Sequence, residues 1–196
     1  MKAVVFYFCL LIYAVLFFFS CGENQKQITN DQKNELSKLS ADFMKTLKEV
    51  LVKEMQTNGA LAAVNVCSDT AQTLTKEYAK RSGVYLKRIS LKNRNPNNYP
   101  NEFEAKILNL FEEKHKQGQL KSDEDYTEII TIDGKDYLSY FKPIFIQAEC
   151  LTCHGFEDQI PDEIKILLDE KYENDKARNY APGNFRGAVS IRKPIN

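Results

Sequence analysis

The chain has 196 residues, with 27 Lys plus Arg balanced by 27 Asp plus Glu and a formal net charge of zero. That balance provides no basic field to gather nucleic acid and no acidic tail to attract a cationic partner. Trp is absent, but 12 Phe and 10 Tyr supply apolar surface for one domain with its own core, and no internal repeat is visible.

Lys2 precedes an apolar run from Ala3 to Phe19, and Ser20-Cys21-Gly22 follows it. A basic start, an apolar stretch and small residues at the cut describe a secretory signal. A cysteine directly after the cut is the pattern of a bacterial lipoprotein, whose new terminal cysteine is acylated. Phe18 departs from that pattern, which usually carries Leu there. The competing reading is an uncleaved membrane helix, since the apolar run nearly reaches spanning length. Polar sequence beginning straight after Cys21 favours the lipoprotein. Residues 1–20 are therefore expected to be a signal, Cys21 to carry lipid, and residues 21–30 to form a polar tether. The domain at 31–196 would then face the periplasm, held on a bacterial membrane by its N-terminal lipid.

Asp31 to about Thr57 reads as a helix, with Leu36, Leu39, Phe43, Leu47, Val50 and Leu51 at helical spacing. Leu36, Phe43 and Val50 also fall seven apart, which suits a homodimer seam as well as packing on the same domain. Asn58-Gly59 breaks this helix. A second runs from about Ala60 to Arg81 and stops at Gly83, with Val64, Cys67, Ala71, Leu74 and Tyr78 along one stripe. Val84 to Leu91 alternates as a strand, and Lys92 to Pro100 is an Asn- and Pro-rich loop. A third helix is capped near Asn101, faces inward with Phe103, Ile107, Leu110 and Phe111, and ends before Gly118.

Tyr126 to Ile132 and Lys135 to Ile146 flank Asp133-Gly134, a hairpin signal. Pro143 confines the later strand to a sheet edge, or else marks its end. Pro161, Asp162 and Glu163 open a short helix with Ile164, Leu167, Leu168 and Tyr172 inward, and a last strand covers Gly187 to Ile191. Helices followed by a small antiparallel sheet, itself interrupted by helices, make an α+β domain.

Between those last elements stands Cys150-Leu151-Thr152-Cys153-His154, a C-x-x-C-H run. In this spacing two thiols can form thioethers to the vinyl groups of a haem, while the next residue offers imidazole to the iron. A plain dithiol redox pair would want an early strand-then-helix setting, which is missing. Half of a zinc site would want a second pair of ligands, also missing. One covalent haem c, with its iron, is the cofactor expected.

Five cysteines can now be apportioned: Cys9 to the signal, Cys21 to lipid, Cys150 and Cys153 to haem, leaving Cys67 alone. It is either a small apolar side chain in a core or a sixth ligand. Rival ligands are His115, expected to be solvated in Glu112-Glu113-Lys114-His115-Lys116, and Met44 or Met55, expected to be core. Arg88 and Arg94 bracket a loop and offer guanidinium forks to haem propionates; as lone residues they read equally well as surface arginines. Asn93, Asn95 and Asn97 can cap turns of that loop. No nucleophile–base pair is present, so an enzyme is not expected.

Several segments, taken in order, are similar to a known family. They are Ala63-Val64-Asn65-Val66-Cys67, Arg88-Ile89-Ser90-Leu91-Lys92-Asn93-Arg94-Asn95-Pro96-Asn97-Asn98, Phe103-Glu104, the C-x-x-C-H run, and Gly183-Asn184-Phe185-Arg186-Gly187-Ala188-Val189-Ser190-Ile191. The chain resembles the bacterial exported domains with a single c-type haem and a PAS-like fold, which include a Tll-type cyanobacterial haem protein. Members often carry an acidic residue where Asn184 stands. The resemblance implies a PAS-like antiparallel sheet with long N-terminal helices, His154 as proximal ligand and Cys67 on the other side of the iron. A Cys/His pair would close the iron to substrate, so the expected role is a redox or gas sensor working through an unknown signalling protein, or alternatively a periplasmic electron carrier with an unknown redox partner.

Overall fold

The computed structural model describes residues 27–195, so the signal segment and Cys21 lie outside the described residues. Helix α1 (Asn30–Asn65) opens on a capping box: Thr29 accepts from the Gln32 amide, and the Gln32 side chain accepts from the Thr29 amide. Gly59, at φ 85° and ψ 172°, interrupts the helix where the Asn58-Gly59 break was expected. A π-helical segment (Val66–Thr70) then leads into α2 (Ala71–Ser82), which ends on Gly83 in the left-handed conformation at φ 63°. Among the described residues, no helix is long and apolar enough to cross a membrane.

Strand β1 (Tyr85–Ile89) is shorter at both ends than its alternating pattern suggested, because Ser90 already turns to pair with the loop through its amide and the Asn98 carbonyl. A single 3₁₀ turn (Pro96–Asn98) and helix α3 (Glu102–Lys116) follow, the latter boxed by Asn101 and Glu104. The hairpin of β2 (Tyr126–Ile132) and β3 (Lys135–Phe145) turns through Asp133 at φ 51° and Gly134 at φ 73°, the two positive values a tight two-residue turn needs. A 3₁₀ turn (Ala148–Cys150), the short helices α4 (Leu151–His154) and α5 (Asp162–Lys171), and β4 (Phe185–Pro194) complete the domain.

The four strands form one antiparallel sheet in the order β1-β4-β3-β2, so the fold is α+β with a PAS-like sheet behind long N-terminal helices. Strand β3 is interior, yet Pro143 is tolerated near its end: β2 pairs only as far as Phe141, so beyond that residue β3 has one neighbour.

Strand alternation sends two apolar sets to opposite faces. Leu86, Leu138, Tyr140, Val189 and Ile191 pack with Leu36, Phe43 and Leu47 of α1 and Ala71 of α2. Ile89, Phe141 and Ala188 pack with Ile107, Leu108 and Phe111 of α3. Fully burying a side chain like Phe43 is worth roughly 2–3 kcal/mol. Leu36 and Phe43 of the sevenfold stripe are buried in this core, while Val50 is half-buried. On α3 the inward position is Leu108, and Leu110, expected inside, is 40% exposed. A third cluster joins Val64, beyond the Gly59 kink, to Ile160, Ile164, Leu168 and Tyr172, with Cys153 against it. This cluster brings the helix bearing Cys67 to the C-x-x-C-H turn.

Gly187 sits at φ 148°, and a Cβ there would fall inside van der Waals distance of the Ile89 carbonyl oxygen on β1. Gly187→Ala is expected to cost about 2 kcal/mol, lowering the thermal midpoint by roughly 4–8 °C. An unchanged melting curve would show that the strand contact yields without strain.

Candidate functional site

The C-x-x-C-H run folds as a 3₁₀ turn running into α4, closed by the Gly155 amide donating to the Leu151 carbonyl at 2.8 Å. A Cβ at Gly155 would lie 2.6 Å from that same oxygen, so the turn closes only around a glycine. Cys150 and Cys153 are free and half-buried. Burial first, and the neighbouring Cys67 second, push the Cys153 thiol up to about 11; burial also raises Cys150. Both are therefore thiols near neutrality.

His154 is defined by one hydrogen bond. Its Nδ1 lies 2.6 Å from the Ala177 carbonyl oxygen, which can only accept, so Nδ1 carries the proton and Nε2 keeps its lone pair. That is the tautomer a metal-binding imidazole needs, oriented by a backbone partner. Burial, then the cations Arg94 and Arg186, hold the ring neutral by depressing its pKa well below the usual histidine range. The segment after α5 clamps the turn from outside: Tyr180 N donates to His154 O at 3.0 Å and Asn179 N to Gly155 O at 2.8 Å.

Cys67 sits within the π-helical segment, half-buried. Such single wide turns put one extra residue into a helix and often occur at functional positions. Its sulfur lies within electrostatic reach of Cys150, Cys153, Arg88 and Tyr172, while Arg88 also acts on His154. The residues read from the sequence, Cys67, Arg88, Arg94, Cys150, Cys153 and His154, are thus brought to one place.

The two arginines are used differently. Arg94 is 7% exposed and already engaged: Nε donates to Asp175 Oδ2 at 3.0 Å, and Nη2 donates to the Cys153 carbonyl at 2.6 Å and the Ala177 carbonyl at 3.3 Å. It fastens the turn, and that is not the open fork expected of a propionate partner. Arg88 keeps a buried Nε with no hydrogen-bond partner, its guanidinium depressed by burial and partly offset by Cys67 and Tyr172.

Two of the rival ligands have other partners. Met44 packs against the first core, as expected. His115 is half-buried and not solvated: its ring lies 6.0 Å from that of Phe145 and 6.4 Å from that of Phe185, and its Nε2 accepts from the Phe185 amide at 3.3 Å. Charge on both sides of it in the sequence hid the apolar face behind it.

Three participants had no assigned role in the sequence. Arg186 donates to Ser90 Oγ at 2.6 Å and to the Lys92 carbonyl at 2.9 Å, and acts on His154; its only signal was its place in Phe185-Arg186-Gly187. Asp175 and Tyr180 gave no local signal.

Among the described residues, no three His, Cys, Asp or Glu side chains are placed to share one bare metal ion. The set offers two adjacent thiols, one imidazole lone pair, a separate thiol and an unpartnered buried guanidinium nitrogen. These donors fit an iron porphyrin, which brings its own four equatorial nitrogens, needs up to two axial donors and carries two carboxylates.

The family model described as "Tll0287-like: Tll0287" matches residues 24–194. The chain is also similar to a solved structure, the cyanobacterial heme-protein Tll0287, at 27% identity and a TM-score of 0.61, over 83% of this chain and 96% of that one. No curated protein matches.

Proposed function

Because the chain belongs to the Tll0287-like family, we propose that it is an exported, lipid-anchored protein with one covalent haem c, acting as a redox or gas sensor and not as an enzyme. The observation that carries this reading is the meeting of the C-x-x-C-H turn, its imidazole locked with Nε2 free, with a lone cysteine on a π-helical turn. Cys150 and Cys153 would hold the haem covalently through their sulfur atoms, His154 Nε2 and Cys67 Sγ would ligate its iron, and Arg88 would meet a propionate. Bound there, the group supplies a one-electron ferric–ferrous couple, held at low potential by thiolate. Lipid on Cys21 keeps the domain at the membrane.

The two proposed iron ligands are held differently, which favours sensing over carriage. His154 is tied to Ala177, and its turn to Asn179 and Tyr180. Cys67 rides on a π-helical segment that holds one residue more than a regular helix needs, an element that would have room for two positions. A sensor uses such a two-position element to inform a separate signalling partner. A carrier gains from two fixed donors and little rearrangement.

Optical spectra of the reduced protein with and without carbon monoxide, read alongside amide exchange of residues 66–82, separate these roles. The sensor reading expects carbon monoxide to displace sulfur and α2 to lose protection. Sulfur ligation that persists in both oxidation states, with fast electron exchange and unchanged protection, would establish the carrier instead.

A further inference from the structure

Two buried side chains with no assigned role toward the imidazole converge on its hydrogen-bond acceptor. Asp175 and Arg94 form an ion pair at 3.0 Å whose side chains are 4% and 7% exposed. Asp175 uses its other oxygen, Oδ1, to accept from the Ala177 amide at 2.9 Å, shaping the turn that presents the Ala177 carbonyl. That carbonyl accepts from His154 Nδ1 at 2.6 Å and from Arg94 Nη2 at 3.3 Å. The same Arg94 nitrogen holds the Cys153 carbonyl at 2.6 Å, one residue before the imidazole. One acceptor is therefore shared between an imidazole and a buried cation, and its place in space is fixed by the cation's counter-ion.

We propose that Arg94 and Asp175 are a positioning pair for His154, which set the aim of the Ala177 carbonyl and limit how strongly it draws the Nδ1 proton. The inference rests on His154 being an iron ligand, as argued above. A hydrogen-bond acceptor on the far nitrogen of a metal-bound imidazole raises the basicity of the ligating nitrogen, and a cation sharing that acceptor weakens the effect. Arg94 thus keeps the imidazole a moderate donor. Taking it away leaves the whole carbonyl to Nδ1–H, gives the ring more imidazolate character and favours ferric iron.

The pair can be dissected because Asp175 has a second cation. Arg178 Nε donates to Asp175 Oδ2 at 3.1 Å, so Arg94→Gln does not strand a buried carboxylate. In the matured, haem-bearing protein, Arg94→Gln is expected to lower the ferrous-to-ferric ratio about tenfold at the wild-type midpoint, equivalent to about 59 mV for one electron. Loss of a buried cation alone would also move the potential, so a second readout is needed. In the ferrous Cys67→Ala background, the iron–imidazole stretching band is expected to rise in frequency when Arg94→Gln is added. Arg94→Lys keeps the charge but has a single nitrogen for two carbonyls and a carboxylate; it is expected to restore most of the potential and only part of the band position, and it serves alone if the Gln variant fails to mature. A band that stays in place in the Arg94 variants overturns the positioning role. No such band in the Cys67→Ala parent overturns the ligand set itself, and the positioning role with it.

Discussion

Replacing Cys150 and Cys153 together by serine leaves a colourless polypeptide after denaturing extraction, even when the chain is made beside a full cytochrome maturation machinery. The two thiols are the only groups in the C-x-x-C-H turn that can add to a vinyl group, and a serine hydroxyl does not replace them. The turn is closed by Gly155 and clamped by Asn179, Tyr180 and Arg94, none of which depends on the sulfur atoms. The double variant should therefore keep its fold while its intact mass falls to that of amino acids plus lipid. Each single variant retains one thioether and hence extractable-resistant colour at lower yield. Wild-type protein without an added haem mass, or a double variant that keeps its colour through extraction, would refute covalent attachment at these positions.

Cys67→Ala is expected to change both the ferric absorption spectrum and the midpoint potential. Thiolate stabilises ferric iron, and axial-ligand identity spans about 0.8 V across haem proteins, so losing one thiolate should raise the midpoint on the order of 0.1–0.3 V. The alternative, a cysteine acting as a small apolar side chain, predicts no spectral change and a stability loss of about 1 kcal/mol for the smaller volume. Half-burial and proximity to Cys150, Cys153 and Arg88 distinguish Cys67 from the sealed core positions Val64 and Ala71 on either side. Arg88→Gln in the same titration should lower the midpoint, since a buried cation beside the iron disfavours the ferric state. Unmoved curves for both variants would separate these residues from the iron altogether.

What the sequence revealed of this domain depended on how local each signal was. Gly59, Gly83 and Asp133-Gly134 act through their own φ angles, so the helix break, the helix stop and the hairpin were readable from neighbouring residues alone. Leu110 and His115 were misplaced because α3 is flanked by charge and packs on three strands from elsewhere in the chain; the true inward residue, Leu108, is decided by the sheet. The same divide applies to the site. Cys150, Cys153 and His154 announce themselves by spacing. The partners that orient them, Asp175 and the Ala177 carbonyl, lie just past residue 174, more than 20 residues beyond His154, and show no pattern of their own. The π-helical turn at Cys67 was also invisible, because an extra residue in a helix leaves the apolar stripe almost unchanged.

The strand order carries a consequence for how the molecule is assembled. β4, the last strand in chain order, lies between β1 and β3, so Leu86 finds its partner Ile191 only after nearly everything between them has been made. Until then the sheet is incomplete, because no other strand lies between β1 and the β2–β3 hairpin. The C-x-x-C-H turn also precedes β4 in the chain, so both of its thiols belong to the part that is made before the sheet can close. Insertion of β4 is then the closing event, and a slow one, because pairing across so long a stretch of chain sets the folding rate.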